Sequence, residues 1–328
     1  MDARRDAESH RRAAVSLLRA GDFAGGATHL ARAWRVNPVD DAVSVALVSL
    51  LRDHPGIGSE QLQAVDATAV MPVTLSVVIC SIDAVRFEAA CQSYAVALGA
   101  WPVEFVGIHD AQSLAEGYMR GLARCSGEIV IFSHDDVGVL SPGLGPALVR
   151  AFSSLDVVGV VGTTRLTGPA WGWGGRGLGR GRIVQPDLSD GSLGLHSLHF
   201  PEPLTPGLQA LDGLFLAVSR NVAIGVGFDA VTFDGFHLYD LDFTFRAAAM
   251  GYRVGVSQEI LLRHDSIGEF GQSWALYAER FRSKFGLPSI GHSGPPLPRG
   301  VRFSSVTSLV DTVRRVHAVC RSIDPGIR

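Results

Sequence analysis

The sequence predicts an α/β protein with a mainly parallel central sheet flanked by helices, preceded by a small all-α segment. Three observations carry this. Between Leu75 and Phe132, short apolar runs alternate with stretches of helical spacing, the order that builds βαβ units. The first seventy residues show helical spacing only, broken at Gly21-Asp22. The strand-like runs are followed by carboxylates, at Asp83, Asp110 and Asp135-Asp136, on the sheet edge where open α/β folds bind ligands. The expected divisions are a helical segment over 1–70, the sheet domain over 71–288, and a Pro-rich linker with a C-terminal helix over 289–328.

Taken in order, Ala13–Ala20 and Ala27–Val36 read as two short helices around Gly21-Asp22, and Pro38 follows where a helix has ended. Leu17, Gly21, Asp22, Phe23, Leu30, Ala33 and Pro38 resemble the spacing of a tetratricopeptide repeat, with Gly26 where that consensus prefers Ala. Such units bury their apolar faces only by stacking, so this segment is expected to pack on the larger domain or on a protein partner. After Met71-Pro72 come a strand at Leu75–Cys80, a helix at Ala84–Leu98, a strand at Val103–Ile108 and a helix at Ser113–Arg124. The run Glu128–Phe132 is a buried strand that ends in His134-Asp135-Asp136. Beyond it, Pro142–Ser153 reads as a helix and Val157–Val161 as a strand. The stretch Trp171–Arg182 is too rich in glycine for regular structure. It reads as a loop whose Trp171 and Trp173 could stack on a sugar or base and whose Arg176, Arg180 and Arg182 could meet phosphate. Leu211–Val218 is a strand, Leu238–Met250 a helix stopped by Gly251, and Tyr252–Val256 a further strand. Ser304–Ile323 is amphipathic, with Arg314, Arg315 and Arg321 away from the apolar face.

Composition excludes several classes. At 328 residues, 47% hydrophobic and 19% charged, the chain has material for a large core. A net charge of −3 gives no case for nucleic acid. Cys80, Cys91, Cys125 and Cys320 lack paired spacing, as expected of reduced thiols in the cytoplasm. No uncharged apolar run is long enough to span a bilayer. The expected location is cytoplasmic, with a peripheral position at the inner face of the membrane as the second choice.

The chemistry lies in the acidic clusters. Adjacent carboxylates at Asp135 and Asp136 suit a hard divalent cation, Mn²⁺ or Mg²⁺, although Asp-rich turns are also common without one. Asp242 and Arg246 are i,i+4 neighbours on one helix, and Asp240 lies in its first turn. With Val77–Ser81, Gly127–Val137, Leu211-Asp212-Gly213, Gly235–Phe243 plus Arg246, and the late His264, residues 73–285 resemble the GT-A-fold glycosyltransferases of the inverting, family 2-like group.

That resemblance implies a nucleotide-sugar donor, an acceptor that is a glycan, a lipid-linked molecule or a protein, and a divalent cation on the diphosphate. His134-Asp135-Asp136 stands where the family carries its DxD-type motif, with His134 replacing the first acid. It implies Asp136, His264 and His134 as metal ligands. Ser81, Asp83, Asp110, Asp135 and Asp212 fall on the donor side. Imidazole ligands favour manganese over magnesium. Tyr239-Asp240-Leu241-Asp242 occupies the place of the family's acidic catalytic pattern, with Tyr239 replacing an acid. It implies Asp240 as the base and Asp242 as the second acid, the orienting partner of Arg246. Met119 and Arg120 depart from the Asn usual before the metal strand. Two other readings remain open at this point: a protein that binds nucleotide sugars or recruits a partner without turnover, and a sugar nucleotidyltransferase, whose Gly-rich N-terminal loop is missing after Val73–Cys80.

Overall fold

The computed structural model describes residues 3–62, 73–175, 177–187, 189–266, 270–287 and 299–323. Met71-Pro72, Arg176 and the linker prolines Pro288, Pro295, Pro296 and Pro298 lie outside the described residues. The elements begin with α1 (Ala3–Arg19), α2 (Phe23–Val36) and α3 (Asp41–Asp53). Next come β1 (Leu75–Cys80), α4 (Ala84–Leu98), β2 (Val103–Ile108), α5 (Leu114–Arg124), β3 (Ile129–Ser133), β4 (Val137–Val139) and α6 (Leu144–Phe152). They continue with β5 (Val157–Gly159), β6 (Val161–Thr163), β7 (Gly179–Pro186), β8 (Leu193–Ser197), β9 (Leu204–Pro206), β10 (Ala210–Leu211) and β11 (Phe215–Ser219). The last are α7 (Arg220–Val226), α8 (Tyr239–Ala249), β12 (Val254–Ser257), β13 (Leu262–His264), α9 (Gln272–Phe285), β14 (Val301–Phe303) and α10 (Val306–Ile323). No described helix is long and apolar enough to cross a membrane.

Two compact units form. One comprises Met1–Asp66, Gly181–Pro203 and Leu297–Arg328; the other comprises Ala67–Arg180 and Leu204–Pro296. In the first, Gly21 takes the left-handed turn (φ 82°), and Asp22 caps α2 by accepting from Gly25 N–H at 2.8 Å. Asp40 caps α3 in the same way. The apolar faces of α2 and α3, with Trp34, Leu47 and Leu51 near zero exposure, need a further helix to cover them. That helix is α10, which buries Leu309, Val313 and Val316. Arg315 does not lie on its polar side as the periodicity suggests. It is 2% exposed, pairs with Asp311, and donates to the carbonyls of Leu51, His54 and Ile57, satisfying the open C-terminal end of α3. The glycine-rich stretch also departs from the expected loop. From Gly179 it is a strand, paired antiparallel with β8 from Arg182↔Ser197 to Pro186↔Leu193. Arg182, expected to meet phosphate, is buried beside His317. Burial depresses its guanidinium to about 10.

The second unit carries a seven-stranded sheet in the order β2-β1-β3-β11-β5-β12-β9. The α/β reading holds, in mixed form: β1 pairs parallel with β2 and β3, and β5 with β12, while β11 runs against both of its neighbours and β9 against β12. Val78, Val130, Phe132, Leu216 and Val218 pack with Tyr118 and Leu122 of α5, Phe243 and Ala247 of α8 and Phe281 of α9 in one core. Two expected strands are each split in two. Val157–Val161 breaks at Val160 into β5 and β6, and Leu211–Val218 breaks at Asp212–Leu214 into β10 and β11. The halves that leave the central sheet pair with each other, Gly162↔Leu211 and Thr163↔Ala210, so the two strands bend together and keep their backbone bonds.

Candidate active site

The sheet explains why distant carboxylates converge. Because β1, β2 and β3 are parallel, their C-terminal ends share one edge, and this brings Ser81, Asp110 and His134–Asp136 to the same side. Antiparallel β11 presents its N-terminal end there, with Phe215 opposite Ser133 and His134 N–H donating to Leu214 O at 3.2 Å. Asp212 therefore arrives beside the His134 cluster. Strand β13 pairs with β4 so that His264 faces Val137, and Asp265 N–H donates to Asp136 O. His264, 128 positions after Asp136, is thereby its neighbour in space.

The result is a compact group of two imidazoles and a carboxylate. Ligand-capable atoms of His134, Asp136 and His264 all lie within 4.8 Å of one another. His264 Nε2 is 3.4 Å and His134 Nδ1 3.9 Å from Asp136 Oδ1. Burial alone would raise the Asp136 carboxyl, but the His264 hydrogen bond and both imidazole charges outweigh it and hold it well below the usual range. Burial, then the neighbouring His264, lowers His134. His264 goes the other way: burial opposes its charge, but Asp136 and Asp212 prevail and raise it. The donor set of two imidazoles and a carboxylate fits a divalent transition metal.

Asp240 stands across from this group. It opens α8, and its Oδ2 accepts from Gly213 N–H at 2.7 Å. Burial, then the charge of Asp212, pushes its carboxyl up to about 7. The residue before the helix, Leu238, takes a left-handed φ of 64°, the one positive φ outside glycine among the described residues. It is nevertheless packed at 3% exposure, a conformation costing about 1–2 kcal/mol for a side chain of this kind. Any side chain at Gly213 would collide with Tyr239 and Asp240, so only glycine lets the strand end approach the helix start.

Two cavities meet at Asp135-Asp136. One, about 290 Å³, is lined by Cys80, Ser81, Ile108, Leu114, His134 and Phe236 among others. The other, about 380 Å³, has Arg86, Ser93, Arg263 and Ser266 in its wall.

The sequence from 76 to 283 matches the model of a family described as glycosyltransferase like. The chain belongs to this family. Among solved structures, this glycosyltransferase-like chain is similar to the mannosyltransferase PcManGT from Pyrobaculum calidifontis in complex with GDP-Man and Mn²⁺, at 13% identity, over 90% of this chain and 81% of that one, with a TM-score of 0.40. It is also similar to GalNAc-T7 with UDP, GalNAc and Mn²⁺, at 12% identity, over 60% of this chain and 44% of that one, with a TM-score of 0.38. No curated protein sequence matches it.

The expected site residues of this glycosyltransferase-like chain fall into three groups. His134, Asp136 and His264 are together, Asp212 acts electrostatically on both imidazoles, and Asp240 lies beside Asp212. Asp135 accepts from Ser81 Oγ at 2.6 Å, so these two donor-side residues are joined. Three others are engaged elsewhere. Asp83 caps α4 through Val85 and Arg86 N–H; Asp110 is 78% exposed and paired with Arg120. Asp242 is fully buried, paired with both Arg246 and Lys284. Sequence reasoning missed the contacts that hold the cluster. Tyr239 Oη lies 2.6 Å from His134 Nε2, and Ser266 Oγ lies 3.0 Å from His264 Nε2. Trp171 Nε1–H donates to Asp212 Oδ2 at 2.7 Å. Of these only the Tyr239 contact left a trace, since His134 and Tyr239 are the two places where an expected acid is missing.

Proposed function

We propose that the chain is a metal-dependent, inverting glycosyltransferase that moves a hexosyl or deoxyhexosyl group from a nucleotide sugar to an acceptor hydroxyl. The observation that supports this best is one edge holding both a two-histidine, one-carboxylate cluster and, across Gly213, a carboxyl raised to about 7. A base with a pKa near the working pH is the efficient one. Asp240 takes the proton of the acceptor hydroxyl as its oxygen bonds to the anomeric carbon. The bond from that carbon to the diphosphate breaks, and the nucleoside diphosphate leaves from the opposite face. No covalent sugar–enzyme intermediate is needed.

His134, Asp136 and His264 would hold a divalent ion, Mn²⁺ being favoured by the imidazoles. Bound there, the ion supplies positive charge for the leaving diphosphate. Tyr239 fixes the His134 ring, and the hydrogen bond from Ser81 aims Asp135 at the donor-side cavity. The test is a thermal-shift screen of nucleotide sugars with and without Mn²⁺, followed by product analysis. Mn²⁺-dependent stabilisation by one donor, with release of its diphosphate and an inverted anomeric linkage, supports the proposal. Stabilisation without turnover would instead mark a nucleotide-sugar-binding protein.

A further inference from the structure

Beyond the carboxylates, the site is bordered by aromatic rings that the proposed chemistry does not use. The 3₁₀ turn Trp171–Gly174 begins at Asp212, to which the Trp171 indole donates, while Leu214 N–H occupies the other oxygen of Asp212 at 3.0 Å. Two residues on, the Trp173 ring lies 5.4 Å from that of Trp274 near the start of α9, and Trp274 lies 5.1 Å edge-on to Phe270. One turn further along α9, the Tyr277 ring is 6.1 Å from His237. The next residue back, Phe236, lines the cavity that reaches His134, Asp135 and Asp136. An arc of rings thus runs from the Asp212–Asp240 pair, through α9, to the donor-side cavity. Its outer members are open, with Phe270 64% and Phe236 55% exposed, while Trp274, at 8%, touches both Trp173 and Phe270.

We propose that this arc is an acceptor subsite for a carbohydrate, with Trp173 and Phe270 as the platform for a pyranose ring. A pyranose has an apolar C–H face and a rim of hydroxyls. Flat aromatic faces bury the first, and carboxylates accept from the second. Both are present here within one continuous border. A lipid chain calls for an aliphatic groove, whereas these rings are interleaved with His237, Asp212 and Asp240. A phosphorylated acceptor would face those carboxylates. The transfer of a sugar to this acceptor rests on the glycosyltransferase reading; the binding of the acceptor does not.

The experiment uses the full chain and intrinsic tryptophan emission. It is titrated with neutral oligosaccharides of glucose, mannose, galactose and N-acetylglucosamine, with phosphatidylglycerol vesicles, and with a Ser/Thr-rich peptide. One oligosaccharide series is expected to shift the emission and saturate. Trp173→Ala should weaken that binding about tenfold, and Trp173→Phe, which keeps a flat ring, about threefold or less. Unchanged melting temperatures certify both variants as folded. A response confined to the vesicles or the peptide, no response to any sugar, or wild-type sugar binding by folded Trp173→Ala overturns the inference. Donor turnover by the wild type is read separately. Sugar binding without turnover sinks only the enzyme reading, and turnover with Trp173→Ala binding sugars normally sinks only this one.

Discussion

Replacing Asp240 by Asn tests the proposed base in two independent ways. The carboxyl titrates near 7 in the fold against 3.8 for a free aspartate, raised by burial and by Asp212. A group whose folded pKa is raised contributes stability below its unfolded value and loses it as pH climbs through the folded one. Three units at about 1.4 kcal/mol each put the cost of the ionised form at no more than about 4 kcal/mol above pH 7, less whatever residual solvent contact recovers. Asn keeps the oxygen that accepts from Gly213 N–H but carries no charge. Asp240→Asn should therefore match the wild type in melting temperature below about pH 4, exceed it by a margin that grows as pH rises from about 4 to about 7, and hold that margin above pH 7, measured in EDTA. Wild-type transfer should rise about tenfold between about pH 6 and about pH 8 as the carboxylate forms, and the variant should lose a factor of about 10²–10⁴ at the upper end. A wild-type rate that is flat across that interval, or a variant less stable than the wild type at pH 8, would refute the assignment.

Three further outcomes are expected. His264→Ala should abolish Mn²⁺-induced thermal stabilisation, because it removes the imidazole 3.4 Å from Asp136; calorimetric titration with Mn²⁺ checks this. Tyr239→Phe keeps the ring but loses the hydroxyl at His134, so Mn²⁺ affinity should drop about 10–100-fold while the metal-free melting temperature stays near wild type. Arg315→Ala removes the guanidinium donor to the carbonyls of Leu51, His54 and Ile57, of which His54 O keeps Ile57 N–H, and should cost about 2–4 kcal/mol in denaturant unfolding.

Legibility in the sequence followed locality. From Leu75 to Arg124 the elements were readable almost to the residue, because continuous apolar runs alternate there with helical spacing and both signals are local. The bends at Val160 and Asp212 were not readable, since each is set by the other strand's bend through Gly162↔Leu211. Nor was strand β7, whose glycines argue for a loop until pairing with β8 overrides them. Arg315 and Arg182 misled for a related reason, as charge predicts exposure unless a partner sits inside. For the site, residue types were legible but neighbourhoods were not. His134 and Tyr239, each an apparent defect in an acidic pattern 105 positions apart, prove to touch. Each defect alone reads as a weakened site; as a contacting pair they read as one substitution made twice.

Leu238 has a practical consequence for anyone redesigning this scaffold. Its left-handed turn points the start of α8 at Gly213, and its buried side chain keeps the turn from relaxing. Grafting another acidic motif onto Tyr239–Asp242 while leaving out residue 238 would transplant the chemistry without its aim. Glycine there would accept the dihedral but forfeit the anchor, and a β-branched residue would keep the bulk but resist the dihedral. The tolerated alphabet at 238 should therefore be narrower than at Asp240 itself, an inversion of the usual expectation that the reacting residue is the one least free to vary.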